Sequence, residues 1–333
     1  MTSFDTHPPV TGSRLSVAPM MDWTDTHCRS FHRVLSPGVL LYTEMVHAQA
    51  VIHGDRPRLL GFDASEHPVA LQLGGSDPAA LAEASRIGAE WGYDEVNLNV
   101  GCPSDRVQAG RFGACLMKEP LLVADCIAAM QAAVRVPVTV KCRLGVDEVE
   151  DYDVFLAFID AVAATGCTRF IVHARKAWLQ GLSPKENREI PPLRYDWVHR
   201  LKRERPDLVI SINGGLRELE EVRAQLAHVD GVMIGRAAYH EPYRLHEYAV
   251  ALEGEPPRTR EALLRAWFPY VASQLARGVA LKHLTRHILG LFHAQPGGRA
   301  FRQVLSDGAP KAGAGLALLE QALAVTRLHE AAA

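Results

Sequence analysis

Eight short apolar segments recur along the first three quarters of the chain, at 15–18, 39–43, 69–73, 95–99, 138–141, 170–173, 208–212 and 231–234, and each stops at small or polar residues. Most of the intervals carry helical periodicity. The interval 76–91 shows the pattern best, with Ser76 placed to cap the first turn, Pro78 suited to a helix start and Gly92 to its close. Further helices are predicted at 120–134, 151–165, 195–205 and 218–226. Eight β/α repeats over about 240 residues predict a parallel (β/α)8 barrel, the TIM-barrel fold, whose functional groups stand at the carboxyl ends of the strands. A doubly wound open sheet is the competing α/β solution. It calls for a glycine-rich dinucleotide turn after an early strand, and this sequence has none there.

A break in composition follows at Glu253-Gly254-Glu255-Pro256-Pro257, which reads as a linker. Beyond it the signal is helical only, at 260–277, 281–292, 300–306 and 315–329, with turns such as Gln295-Pro296-Gly297-Gly298 between. The expected organisation is a barrel domain over 1–252 and a small all-α helical-bundle domain over 258–333. Charge divides in the same way. The net charge of −2 hides nine Lys or Arg against two Asp or Glu in residues 256–311, so that stretch carries +7 and the remainder −9. Either a polyanionic partner or a solvated helical face accounts for such a bias.

The other bulk properties mainly exclude. A composition 48% hydrophobic and 22% charged is ordinary for a globular chain of 333 residues. Cys28, Cys102, Cys115, Cys126, Cys142 and Cys167 show no paired spacing, which argues against a disulfide framework or a metal site and for a reducing, cytoplasmic compartment. The first twenty residues lack a basic start followed by an apolar core, and no apolar run reaches eighteen residues. Neither export nor a membrane span is expected.

The predicted strand ends are polar. The fourth ends in Asn97-Leu98-Asn99-Val100-Gly101-Cys102-Pro103-Ser104, which delivers a thiol to the carboxyl end of its own strand. By itself such a cysteine reads either as a small buried hydrophobe or as a catalytic group. Pro19, Met20 and Met21 follow the first strand, Gln72 ends the third, Lys141 the fifth and His173 the sixth. Lys141 suits a Schiff base if its pKa is depressed, or a fixed cation beside a developing anion. After the seventh and eighth strands stand Asn213-Gly214-Gly215 and Gly235-Arg236. Glycine there lets backbone N–H groups approach a phosphate, so a phosphate-bearing ligand is expected.

These segments resemble the tRNA-dihydrouridine synthases. The resemblance rests on Val17-Ala18-Pro19-Met20, on 97–104 continued by Arg111-Phe112-Gly113-Ala114-Cys115-Leu116-Met117, and on Val138-Thr139-Val140-Lys141, His173-Ala174-Arg175, Asn213-Gly214-Gly215 and 231–236. It spans nearly the whole chain, and the run 175–193 looks like the bacterial subclass A, which acts on uridines 20 and 20a of the tRNA D-loop. The resemblance implies an FMN-containing barrel with a helical tRNA-binding domain, recharged by NADPH, and a cytoplasmic monomer is expected. Carried over by position, Pro19, Met20, Met21, Gln72, Lys141, His173, Asn213, Gly214, Gly215, Gly235 and Arg236 would hold FMN. Asn99, Lys185, Arg188, Arg299 and Arg302 would touch tRNA, and Cys102 would be the proton donor.

That chemistry reverses the usual demand on a catalytic cysteine. Hydride delivery to C6 of uracil leaves carbanion character at C5, so a proton must reach C5 from the opposite face. An unperturbed thiol, with a pKa of about 8.5, is mostly protonated at neutral pH. Rival readings are an FMN barrel acting on a free pyrimidine, a tRNA-binding or folding factor with vestigial chemistry, and a Schiff-base aldolase built on Lys141.

Overall fold

A computed structural model describes residues 14–148 and 150–330. Residues 1–13, on which the expectation about an export leader largely rests, lie outside the described residues. Eight strands form: β1 Leu15–Val17, β2 Leu41–His47, β3 Val69–Gly74, β4 Glu95–Val100, β5 Val138–Cys142, β6 Arg169–His173, β7 Val209–Asn213 and β8 Gly231–Ile234. All pair in parallel, in sequence order from β2 to β8, with β1 against β8. Between β1 and β2 the seam narrows to a single bridge, Ser16 to Leu40, held by Val17 N–H to the Leu40 carbonyl at 3.0 Å and Leu40 N–H to the Leu15 carbonyl at 3.1 Å. The (β/α)8 barrel expected from the repeats is the fold found.

Why the strands sit this way is plain in β4. Glu95, Asn97 and Asn99 alternate with Val96, Leu98 and Val100, and all six are buried. A strand with both faces covered must pair every polar side chain it turns inward, because an unsatisfied buried polar group is costly. Hydrogen bonds to Gln72 of β3 and Thr139 of β5 put the polar set on one face, towards its counterparts on neighbouring strands. Elsewhere the buried filling is apolar: Ala18, Leu40, Tyr42, Ala70, Ile171 and Met233 form one cluster, with Met20 packed against it.

Helix boundaries fall within a residue or two of expectation for most intervals, with one change of cap. The helix Pro78–Trp91 is capped by Asp77, whose carboxylate accepts from Ala80 N–H at 2.7 Å, and not by Ser76. Gly92 closes it at φ +105°. The expected helix 281–292 is helical only over Leu281–Thr285, and turns follow. Gly290 runs so close to His240 that a Cβ there would lie 1.9 Å from its carbonyl oxygen, so this tertiary approach sets the backbone path. Helices Thr26–Leu35 and Tyr243–Glu253 were not expected.

The chain resolves into two compact units. Among the described residues, one holds the eight strands and comprises 14–21, 40–62 and 67–234; the other is helical and comprises 22–39, 63–66 and 235–330. Within the helical unit, fully buried Trp267 donates its indole N–H to Ser30 at 3.1 Å, and buried Arg29 pairs with Glu66 at 2.5 Å. Those contacts explain why 22–39 and 63–66 belong with the carboxyl-terminal helices.

Candidate active site

The loop leaving β4 is held from three sides. Asn99 Oδ1 accepts from the N–H groups of Gly101 (3.0 Å) and Cys102 (2.9 Å), which turns the chain immediately after the strand. The Cys102 carbonyl accepts from Ala114 N–H at 2.9 Å, at the start of the 3-10 helix Gly113–Lys118. Gly113 is required at that junction: its φ is +76°, and a Cβ would stand 2.6 Å from the Cys102 oxygen. The pairing of the two sequence segments therefore has a mechanical reason. On the third side, Arg143 donates Nε–H to the Gly101 carbonyl at 2.9 Å. The half-buried Cys102 Sγ lies 3.5 Å from Ser104 Oγ.

Around this loop, within the same unit, the strand ends form a buried polar wall. Gln72 Oε1 accepts from Asn99 Nδ2 at 2.9 Å. Lys141 Nζ donates to Asn213 Oδ1 at 3.1 Å, and Asn213 Nδ2 donates to the Met233 carbonyl at 2.8 Å. Burial, reinforced by nearby Arg143, lowers the Lys141 ammonium to about 8, so it remains largely cationic at neutral pH. Burial also takes His173 well below its ordinary value, with Arg143 and Lys141 acting in the same direction; its ring is neutral at pH 7. Gly214, at φ +117°, presses the backbone after β7 onto that ring: a Cβ there would lie 2.7 Å from His173 Cδ2. Gly215, at φ +75°, continues the bend, and Tyr195 donates its hydroxyl to the Gly214 carbonyl at 2.5 Å. A cation, amide donors and a glycine cradle with no room for side chains fit a flat ligand that carries carbonyl acceptors and an anionic tail.

The remaining expected residues fall into separate places. Pro19 and Met20 are half-buried, while Met21 is 55% exposed. Gly235 caps the short helix Arg236–His240, which belongs to the helical unit. Lys185 and Arg188 are exposed on the long loop after β6. That loop is organised by buried Asn187, whose Oδ1 accepts from Trp178 N–H (2.7 Å) and whose Nδ2 donates to the Trp178 (2.9 Å) and Leu182 (3.1 Å) carbonyls. In the helical unit, Arg299 and Arg302 are exposed one turn apart on the helix Gly298–Gly308. Neither makes an ion pair among the described residues. By contrast Arg265 is paired with Glu261 and Glu320, and Arg286 with Asp25. The basic count of the tail thus overstates its available charge, and Arg299 and Arg302, named from the sequence, are among its exposed cations.

Several site residues were not anticipated. Arg143 also donates to the Lys176 and Asn187 carbonyls, both at 3.0 Å, and so ties the loop after β4 to the loop after β6. Burial lowers its guanidinium to about 10, which leaves it charged. Gln108 bridges the Pro103 (2.8 Å) and Leu179 (2.6 Å) carbonyls to the same effect. The sequence signal available for Arg143 was its place two residues after Lys141, just past the end of β5; Gln108, on the helix Asp105–Ala109, had none. Among the described residues there is no cluster of three or more side chains suited to a metal ion, and no helix long and apolar enough to cross a membrane.

Comparison with known proteins gives a consistent picture. The dihydrouridine synthase family profile matches residues 16–328. A tRNA-dihydrouridine(20/20a) synthase of Xanthomonas campestris pv. campestris is 69% identical over 309 residues, covering 93% of this chain and 92% of that one. Proteins of the same name from Xylella fastidiosa and Vibrio cholerae are 64% identical over 94% of this chain and 56% identical over 93% of it, covering 94% and 96% of their own lengths. Among solved structures, a 2-naphthoyl-CoA reductase complex aligns with a TM-score of 0.55 at 11% identity over 73% of this chain and 50% of its own. An old yellow enzyme homologue from Zymomonas mobilis aligns with a TM-score of 0.50 at 13% identity over 74% of this chain and 90% of its own. At such identities the two structures speak for the barrel fold alone.

Proposed function

The chain belongs to the dihydrouridine synthase family, and from that premise we propose that it binds FMN at the carboxyl ends of its strands, takes electrons from NADPH and uses Cys102 as proton donor. Its reaction is the reduction of uridine in tRNA to dihydrouridine, with a flavin as cofactor. The target is uridine 20 or 20a of the D-loop, as in the names of its relatives. One observation carries the assignment of the site: Cys102 is fixed by Asn99, and Asn99 is bonded in turn to Gln72, so the thiol loop and the buried polar wall form one structure.

A bound reduced flavin supplies the hydride that C6 of uracil accepts. Lys141 keeps a positive charge in the wall and Gln72, His173 and Asn213 fix its polar edge, while Gly214 and Gly215, both at positive φ, turn the backbone after β7 so that its N–H groups can meet a phosphate. Pro19, Met20, Met21, Gly235 and Arg236 complete the FMN-binding set. Cys102 holds a proton at Sγ and gives it to C5, which needs the base to lie between thiol and cofactor. A uridine must leave the tRNA stack to reach that position. Lys185, Arg188, Arg299 and Arg302 grip the phosphate backbone while Asn99 meets the base. The working unit is a monomer without a metal, and its compartment is the cytoplasm, which suits six free cysteines and a tRNA substrate.

Purified protein is expected to be yellow, to release FMN on denaturation and to form dihydrouridine in unmodified tRNA when given NADPH. Colourless protein, or equal activity on free uridine, would overturn the reading.

A further inference from the structure

Beneath the thiol loop runs a chain of side-chain hydrogen bonds in which every donor points the same way. It starts at the Cys102 N–H, which donates to Asn99 Oδ1 at 2.9 Å. Asn99 Nδ2 donates to Gln72 Oε1 (2.9 Å), Gln72 Nε2 to Asn97 Oδ1 (2.8 Å), Asn97 Nδ2 to Thr139 Oγ1 (2.8 Å), and Thr139 Oγ1 to Glu95 Oε1 (2.6 Å). Tyr42 donates to the same Glu95 oxygen from another side, at 2.6 Å. All six side chains are buried, so water cannot replace a broken link cheaply.

Direction is the informative property here. An amide is a donor at one end and an acceptor at the other, and its two orientations differ little in shape. A row of three amides could therefore point either way, and turning one would force its neighbours to turn. This row is fixed at both ends: backbone N–H groups at 101 and 102 can only donate, and Glu95 Oε1 accepts the Thr139 hydroxyl. With both lone pairs of Asn99 Oδ1 filled, the only polar group Asn99 has left is one N–H, and Gln72 Nε2 likewise keeps one N–H beyond its bond to Asn97.

We infer that Glu95, acting through Thr139 and Asn97, is a positioning residue that sets the polarity of Gln72 and Asn99, so that Asn99 offers a donor to what lies before it and the Cys102 loop keeps its turn. A donor at Asn99 suits a uracil carbonyl and opposes the amino group that cytosine carries in its place. The inference rests on the reading of Cys102 and the flavin wall as one active site. Its test does not depend on that reading being complete.

Thr139→Val removes the hydroxyl at nearly constant volume and cuts the chain. Thr139→Ser restores it. Tyr42→Phe removes a buried hydroxyl from the same Glu95 oxygen without cutting the chain, and so controls for burial alone. With flavin-loaded protein, stopped-flow absorbance separates flavin reduction by NADPH from reoxidation by unmodified tRNA, and hydrogen exchange follows the amides of Gly101 and Cys102 without tRNA. Thr139→Val should slow reoxidation at least tenfold, leave reduction by NADPH within twofold, and speed exchange at both amides; Thr139→Ser and Tyr42→Phe should match the parent protein. Thr139→Val with parental reoxidation and exchange, or Tyr42→Phe slowed as much as Thr139→Val, would overturn the role of Glu95. Thr139→Ser failing to rescue would overturn it as well. Should Thr139→Val not fold, Thr139→Ala makes the same cut and is read by the same criteria. If the parent protein itself is not reoxidised by tRNA, the active-site reading has failed, and the exchange measurement still decides whether the chain holds the loop.

Discussion

The strand-end wall of the barrel and the helix Gly298–Gly308 present their polar side chains in opposite ways. In the barrel, polar groups are buried and mutually bonded: Gln72, Asn97, Asn99 and Thr139 have partners at 2.6–2.9 Å, and Lys141 is held by Asn213. In the helical unit the residues assigned to tRNA, Arg299 and Arg302, stand exposed and without an ion pair among the described residues. The contrast follows from what each would recognise. Chemistry on one base needs donors fixed before the substrate arrives, because orientation gained beforehand is not lost from the barrier. Gripping a phosphate backbone needs charge that can adjust, and it tolerates solvent.

The contrast can be broken most forcefully at the thiol. Cys102→Ala should lower dihydrouridine formation at least about 100-fold, the low end of what a general acid contributes, while flavin content and tRNA affinity stay unchanged; full activity would remove the thiol from the mechanism. A smaller effect is expected from the exposed side. Replacing Arg299 and Arg302 together by Ala should weaken tRNA binding about tenfold at physiological salt and reduce the slope of log affinity against log salt by about two, with flavin reduction by NADPH unaltered. Equal tRNA affinity would show that the available charge of the tail lies elsewhere.

Smaller still are two effects inside the barrel. Gly214→Ala places a Cβ against His173 at a backbone angle that alanine resists; unfolding free energy should fall by about 1–3 kcal/mol and flavin should be lost more readily on dialysis. Lys141 offers a pH test. It is cationic below its pKa of about 8 and neutral above it, and an anionic ligand beside it raises that value. The rate of flavin reduction should therefore fall as pH rises through a break at 8 or slightly above, and Lys141→Met should give a slower, flat profile over the same range.

Much of this was legible in the sequence because it depends on period and position. Apolar runs such as 69–73 and 231–234 marked strands to within a residue, since a parallel barrel buries both faces of each strand. What stayed hidden is what depends on closure over distance. Arg143 holds carbonyls of Gly101, Lys176 and Asn187, which are brought together only when β4, β5 and β6 lie side by side. Ser76 and Asp77 are both good caps by residue type, and only the geometry of the turn chose Asp77. The helix expected over 281–292 ends at Thr285, and the close approach of Gly290 to His240 further along is a contact between segments that local pattern does not carry. Similarly, nine basic residues could be counted between 256 and 311, but which of them are neutralised by Glu261, Glu320 and Asp25 is a property of the folded unit.

We propose, then, that a fixed thiol in a flavin-binding barrel completes the reduction of a tRNA uridine. Its most direct test is a single turnover: protein reduced with one equivalent of NADPH is mixed with unmodified tRNA, and flavin reoxidation is followed while the product tRNA is mapped by nucleoside. The parent chain should reoxidise fast, with dihydrouridine at position 20 or 20a, and Cys102→Ala at least about 100-fold more slowly. Equal rates for the two proteins, or reoxidation without dihydrouridine in the tRNA, would contradict it.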